Sequence, residues 1–222
     1  MKTSKLILVA TALLGFIVTP VLAAEPGTWT LKGGVGTVAP KGSNLTFSDE
    51  IDTITIHVDD GTSFTLSATY MFTENWGFEV LAAAPFEHDI KASVSGQVGK
   101  VKLGSTKHLP PTFSAIYHFA PDATFQPYVG IGVNWTLFSS TKLVPELAAD
   151  GLIDLDLDDS VGVATVIAGD WMLSDKLLLS IEARWINIES DAKLIIDGGD
   201  SLPIGTVEID PWVYAIYLGY RF

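Results

Sequence analysis

The sequence contains no cysteine, so it has neither disulfides nor a thiolate for a metal or redox centre. Basic residues are scarce: 13 Lys and Arg against 26 Asp and Glu give a net charge of −13, which argues against a nucleic-acid partner. Histidine is limited to His57, His88, His108 and His118. No Ser and carboxylate stand beside His88 or His108 at the spacing of a triad, so no catalytic residue is expected, and a lipid-modifying hydrolase is the enzyme alternative. No cofactor and no dedicated metal site are expected either. After the N-terminal segment there is no apolar run of the length a helical span requires, although 48% of the residues are hydrophobic. A closed sheet in a membrane reconciles such apolarity with the lack of disulfides and of helical spans.

The N-terminus reads as an export signal. Lys2 and Lys5 precede a short apolar stretch from Leu6 to Val18, Pro20 breaks it, and Val21-Leu22-Ala23 supplies a cleavage site. Cleavage is expected after Ala23, with Ala24 the near alternative. The division is a cleaved signal peptide, 1–23, and one barrel domain, 24–222. An uncleaved anchor helix is the competing reading.

Elsewhere the hydrophobic period is two. Phe64, Leu66, Ala68, Tyr70 and Phe72 alternate with Thr65, Ser67 and Thr69; Leu177, Leu179, Ile181, Ala183 and Trp185 alternate with Ser180, Glu182 and Arg184. Eight strands are expected, at 27–38, 61–72, 76–90, 108–119, 124–140, 160–173, 176–190 and 205–222. Their links alternate between tight turns (73–75, 120–123, 174–175) and long polar segments (39–60, 91–107, 141–159, 191–204). This is the pattern of an all-β, eight-stranded antiparallel up-and-down transmembrane β-barrel with short periplasmic turns, long outer loops and both termini in the periplasm. Aromatics near strand ends, among them Trp29, Trp76, Trp135, Trp171, Trp185 and Trp212, suit interfacial girdles. A soluble sandwich or lipocalin-like barrel has the same period with the apolar face inward. The thin charge of the polar face and the terminal Tyr220-Arg221-Phe222 favour the membrane. Tyr220 and Phe222 read as an assembly signal, which makes the barrel assembly machinery a partner alongside outer-membrane lipid.

Strand parity lists the lumen. With Glu79, Glu182 and Arg184 inside, Lys32, Thr65, Ser67, Thr69, Leu81, Thr112, Ser114, His118, Asn134, Thr136, Asp170, Tyr217 and Arg221 follow. Lys32, Glu79, His118, Asp170, Glu182 and Arg221 are expected to form a salt-bridged network at the periplasmic end, because a desolvated charge must pair. Pro85, Pro110 and Pro111 fall at similar height on neighbouring strands, where each deletes a ladder hydrogen bond. They either open the wall sideways or end the ladder at the membrane rim. The outer loops are acidic, with Asp49, Glu50, Asp52, Asp59 and Asp60, then Glu146, Asp150, Asp154, Asp156, Asp158 and Asp159, then Asp191, Asp197 and Asp200. The second loop is basic, with Lys91, Lys100, Lys102 and Lys107. Lipopolysaccharide phosphates are the expected contact, through those lysines or bridging divalent ions. A specific calcium site at 152–159 is the alternative.

Fragments spread along the chain carry a resemblance. They are Val80-Leu-Ala-Ala-Ala-Pro-Phe86, His108-Leu-Pro-Pro-Thr112, Pro127-Tyr-Val-Gly-Ile-Gly-Val-Asn134, Asp210-Pro-Trp-Val213 and Gly219-Tyr-Arg-Phe222. In this order they resemble the outer membrane protein W family. The resemblance implies a narrow, largely apolar lumen, passage of small hydrophobic molecules and a part in coping with stress. It also implies a constriction to which Leu81 contributes. Where the family can place an inward aromatic on strand seven, this chain has Arg184, which departs from a purely hydrophobic gate. Arg184 could pair with Glu182 or Glu79, or favour anions. Two functions follow: a narrow channel for small hydrophobic solutes with lateral release, or a filled barrel anchoring loops that meet lipopolysaccharide, phage, bacteriocins or host surfaces.

Overall fold

Successive side chains of extended backbone point to opposite faces, so an unbroken alternation becomes a sheet with two unlike surfaces. In the computed structural model, residues 25–42, 44–48, 53–96, 98–149, 152–196 and 199–222 are described. The signal segment 1–23 and the loop acids Asp49, Glu50, Asp52, Asp150 and Asp197 lie outside them. The elements are β1 (Trp29–Ala39), β2 (Leu45–Ser48), β3 (Thr53–Val58), β4 (Gly61–Met71), β5 (Trp76–Ala83), β6 (Phe86–Val94), β7 (Val101–Leu109), β8 (Thr112–His118), β9 (Phe125–Leu143), the short helix α1 (Pro145–Ala149), β10 (Leu152–Leu157), β11 (Ser160–Met172), β12 (Leu177–Ile186), β13 (Glu189–Ile196), β14 (Ser201–Glu208) and β15 (Trp212–Arg221).

Eight of these close a barrel. The antiparallel order is β1, β4, β5, β8, β9, β11, β12, β15 and back to β1. Closure leaves no strand edge in the wall, which a bilayer requires because it offers no water to satisfy stray amides. The close approach of β1 to β15 depends on Gly34, where an added Cβ would lie 2.0 Å from the Ile216 carbonyl oxygen. The wall is apolar outside: Val35, Leu66, Ile131, Ile167, Ile181, Ile216 and Leu218 are all exposed. At the short-turn end aromatics pair around the rim, Trp29 with Tyr70, Trp76 with Tyr117, Phe125 with Trp171 and Tyr220 with Phe222, at centroid distances of 4.3–5.0 Å. At the other end Trp135 and Trp212 are outward, and Trp185 is half-buried beside Trp212 in the ladder.

The long links depart from the expectation of polar loops. All of them carry strands. β2, β3, β6, β7 and the far half of β9 form one sheet above the membrane section, and β10, β13 and β14 form another. Correspondingly, the expected strands 76–90, 108–119, 176–190 and 205–222 do not run unbroken. Each is interrupted near the outer girdle, at 84–85, 110–111, 187–188 and 209–211. Proline sits in three of these breaks, where it supplies no amide hydrogen for the ladder. At the fourth break, Asp210 accepts hydrogen bonds from the Ile188 amide and from Asn187 Nδ2.

The two levels have opposite polarity. In the membrane section the inside is polar and the outside apolar. Above it Val38, Phe86, Ile186, Ile188, Ala192, Val207 and Ile209 pack inward as one hydrophobic core, while Glu87, Asp191 and Glu189 face out. Water surrounds the upper level and lipid the lower, so the same period of two serves both with its chemistry reversed.

Candidate functional site

Facing strands bring four charges together in the lower lumen. Lys32 on β1 donates to Glu79 Oε2 at 2.9 Å. Arg184 on β12 donates through Nη2 to Glu79 Oε1 at 2.6 Å and through Nε to Glu182 Oε1 at 2.8 Å. Tyr128 on β9 links the remaining corner: its hydroxyl accepts from Lys32 Nζ at 2.7 Å and donates to Glu182 at 3.3 Å. Ser67 adds a hydrogen bond to Glu79 and Ser114 accepts one from Arg184, each at 3.0 Å. Two cations and two carboxylates leave the layer neutral. None of the four charged residues is more than 2% exposed. Burial on this scale is tolerable only where each charge is paired and its other polar atoms are bonded.

Nearer the short turns the pairing loosens. Asp170 accepts from Ser180 at 2.5 Å and lies 3.7 Å from His118 Nε2. Arg221 donates to Gln126 Oε1 at 2.8 Å and makes no ion pair among the described residues. It therefore stands beside the expected network as a hydrogen-bonded side chain. Tyr220 and Phe222 lie on the outer face, 43% and 66% exposed. Tyr128 and Gln126 were not singled out from sequence, yet they share the parity of Asn134 and Thr136 on the same strand, which would have found them.

Above the charged layer Leu81 packs with Ala215 and Tyr217. Arg184 belongs to the layer below through its bonds to Glu79 and Glu182. Beyond Leu81 the interior turns apolar. Phe86 is 1% exposed and stacks on His108, with centroids 5.6 Å apart. His108 in turn stacks on His88 at 4.8 Å. Both imidazoles are in the section above the membrane. Burial holds His88 below the usual histidine range despite the nearby Asp59 carbonyl and Asp60. Burial, with His88 alongside, pushes His108 down to about 3. They stack on each other in an apolar chamber, and among the described residues neither ring has a hydrogen bond to a Ser hydroxyl or a carboxylate. Further out, a cavity of about 200 Å³ is lined by Leu45, Ile56, Leu143, Leu155, Ile204 and other apolar side chains.

The prolines mark a break in the wall at the height of this transition. The β5–β8 ladder ends at Leu81–Thr112, and pairing of the same two expected strands resumes only at Phe86–His108 between β6 and β7. Side chains patch each lip separately. Ser63 donates to the Ala84 and Pro85 carbonyls at 3.0 and 3.4 Å. Asn134 Nδ2 reaches the Pro110 and Pro111 carbonyls, both at 3.2 Å. Pro85 is exposed, Pro110 buried and Pro111 half-buried.

The outer acids are mostly engaged or wet. Asp59 pairs with Lys91, Asp89 with Lys102 at 2.6 Å, Glu87 with Lys107 at 3.4 Å and Asp158 with Lys193 at 2.9 Å. Along β10, Asp154 and Asp156 are exposed while Leu155 and Leu157 pack on the core, so this acidic alternation is an amphipathic strand. Among the described residues no three carboxylates or histidines converge as a metal cluster.

A model of the OmpW family matches residues 25–222. The chain belongs to the OmpW family. Outer membrane protein W of Vibrio cholerae is 40% identical over 207 residues, covering 91% of this chain and 92% of that protein. The crystal structure of the outer membrane protein OprG from Pseudomonas aeruginosa superposes with a TM-score of 0.80 at 32% identity, covering 91% and 99% of the two chains. The solid-state NMR structure of outer membrane protein AlkL in DMPC bilayers shares the fold, with a TM-score of 0.67 at 18% identity. Like its OmpW relatives, the protein is a bacterial outer-membrane β-barrel.

Proposed function

We propose that this protein is a narrow route for small hydrophobic molecules, taken in at the outer end and released sideways into the membrane. The observation that carries the reading is the vertical order of the lumen. An apolar chamber lies above a charged layer with almost no solvent exposure, with Leu81 and the buried Thr112, Asn134 and Thr136 in between, and the one interruption of the β5–β8 and β6–β7 ladder falls at this height. An apolar solute in the chamber gains by burial but meets desolvated, fully paired charges below, which it cannot replace as hydrogen-bond partners. The exit is the wall beside Phe86 and Pro110, because the other paired break, at 187–188 and 209–211, is bridged by hydrogen bonds from the Ile186 amide to the Pro211 carbonyl and from the Ile209 amide to the Ile188 carbonyl. Leu81, packed with Ala215 and Tyr217, narrows the lumen between chamber and charges, and Arg184, with Lys32, Glu79 and Glu182, is the lock that closes the periplasmic end. Eight strands leave only room that side chains fill, so a wide aqueous pore is not part of this reading.

The test is uptake of an apolar solute into lipid vesicles by the refolded barrel, with Pro85, Pro110 and Pro111 replaced together by valine to restore ladder amides. Uptake by the natural chain and a loss of at least several-fold in the folded triple variant are expected. Unchanged uptake in that variant removes the lateral route. No uptake by the natural chain favours a filled barrel that anchors its outer sheets for lipopolysaccharide, phage, bacteriocin or host contact.

A further inference from the structure

Among the described residues, two buried polar atoms in the upper chamber have no hydrogen-bond partner. They are Nε2 of His88 and Nε2 of His108, on residues only 2% and 3% exposed. Buried polar groups in folded proteins are nearly always satisfied, so an orphaned pair asks for a missing partner. The two stacked rings line a cavity of about 30 Å³, which shares Ile56, Ile90, Leu155 and Val207 with the larger apolar cavity further out. Apart from Thr106, whose hydroxyl is bonded to that of Thr141, the chamber thus has a greasy body and one polar spot.

The chemistry of that spot follows from one hydrogen bond. His88 Nδ1 lies 2.7 Å from the Asp59 carbonyl oxygen. A carbonyl only accepts, so Nδ1 carries the hydrogen, and in the neutral ring Nε2 is left as a bare acceptor. The position of this ring is set closely by Gly61, where an added Cβ would sit 2.6 Å from His88 Cε1. His108 Nε2 can carry the hydrogen of its own ring and donate. One acceptor and one donor on adjacent rings match a group that does both.

We propose that His88 and His108 form the head-group site for a neutral amphiphile bearing a hydroxyl, an alkanol, whose tail fills the apolar cavity. The hydroxyl donates to His88 Nε2 and accepts from His108 Nε2–H. A plain alkane fills the same cavity but leaves both nitrogens unpaired. The inference rests on the reading of the chamber as a solute site and adds selectivity to it.

The experiment compares binding of octanol and octane to the full mature barrel in phosphatidylcholine nanodiscs at equal mole fraction in the lipid, with His88→Phe and His108→Phe variants. The natural chain is expected to prefer octanol by about ten-fold, the range its two hydrogen bonds to the imidazoles supply together. Each variant keeps one of the two hydrogen bonds and weakens that preference while still binding octane, and the double variant loses it. In the natural chain the nitrogen-15 resonances of the two Nε2 atoms move with octanol and stay put with octane, a readout that needs no variant to fold. Equal binding of the two probes, or a preference that survives both substitutions, overturns the head-group site and leaves the hydrophobic route standing. Binding of neither probe to a folded barrel overturns both.

Discussion

Arg184 Nη2 and Glu79 Oε1 are 2.6 Å apart across the lumen, 105 residues apart in the chain, and both side chains have 0% exposure. Removing one partner strands the other in a medium that cannot hydrate it. Arg184→Met should therefore cost about 3–5 kcal/mol, read as a lower urea midpoint for unfolding from bilayers. The double variant Glu79→Gln with Arg184→Met should lose less than the sum of the two singles, since they share one network. Additive losses would mean the pair is not energetically coupled.

Asn134 ties down the lip of the wall break. Its amide reaches two proline carbonyls and Thr112, and its oxygen accepts from Thr136 at 2.6 Å. Asn134→Ala leaves those groups unpaired, and a loss of about 1–3 kcal/mol is expected. Hydrogen exchange should rise locally, at the Thr112 and Trp135 amides, before it rises at the short-turn end. Uniform exchange over the whole barrel would contradict this placement of the weak point.

Acid should loosen the upper chamber first. An unfolded histidine titrates near 6.5, whereas His108 in place titrates at about 3 and His88 is also lowered. Between those limits the opened state binds protons that the closed state refuses, so stability falls as pH drops from about 6.5 toward 3 and is fully present above 6.5. The groups facing the pair are Asp59 and Asp60, which oppose the shift at His88, and each imidazole's neighbour. Amide exchange in β6 and β7 should accelerate on acidification across this window, and His108→Phe should flatten the dependence. A pH-independent profile in the natural chain would sink the prediction.

Phe222 projects from the wall while its amide donates to the Trp29 carbonyl at 2.8 Å. Its ring adds little to the fold, so Phe222→Ala should refold in detergent with a stability change within about 0.5 kcal/mol. If the terminal ring is an assembly signal, the same variant should fall several-fold in abundance in the outer membrane of cells. Equal abundance would assign the ring to the lipid interface alone.

The eight-stranded closure was legible because lipid outside and polar side chains inside impose a period of two over long runs. The same parity placed Lys32, Glu79, Glu182 and Arg184 on one face. Parity puts Tyr128 on the inner face as well, but it did not show that Tyr128 joins Lys32 to Glu182, since a shared face does not say which side chains meet across the lumen. The upper sheets were less legible for two reasons. Their polarity is reversed, so apolar residues point inward as in a soluble protein. The break at 84–85 also shifts the phase on the third strand: Glu79 and Leu81 are inside below it, Phe86 and His88 above. One unbroken strand over 76–90 would have turned Phe86 and His88 outward. Pro85 was visible in the sequence, but a proline does not state how many residues the bend consumes.

β9 runs 19 residues without a break, and both edges of the fourth strand are nailed to it. Thr112 pairs with Asn134, and Leu109 pairs with Leu137. Three residues of extended backbone span about 10 Å and do not stretch. On the proposed lateral route, that side of the break is thus a doorpost of fixed height, and widening would have to come from the opposite jamb, where β5 gives way to β6 at Ala84 and Pro85.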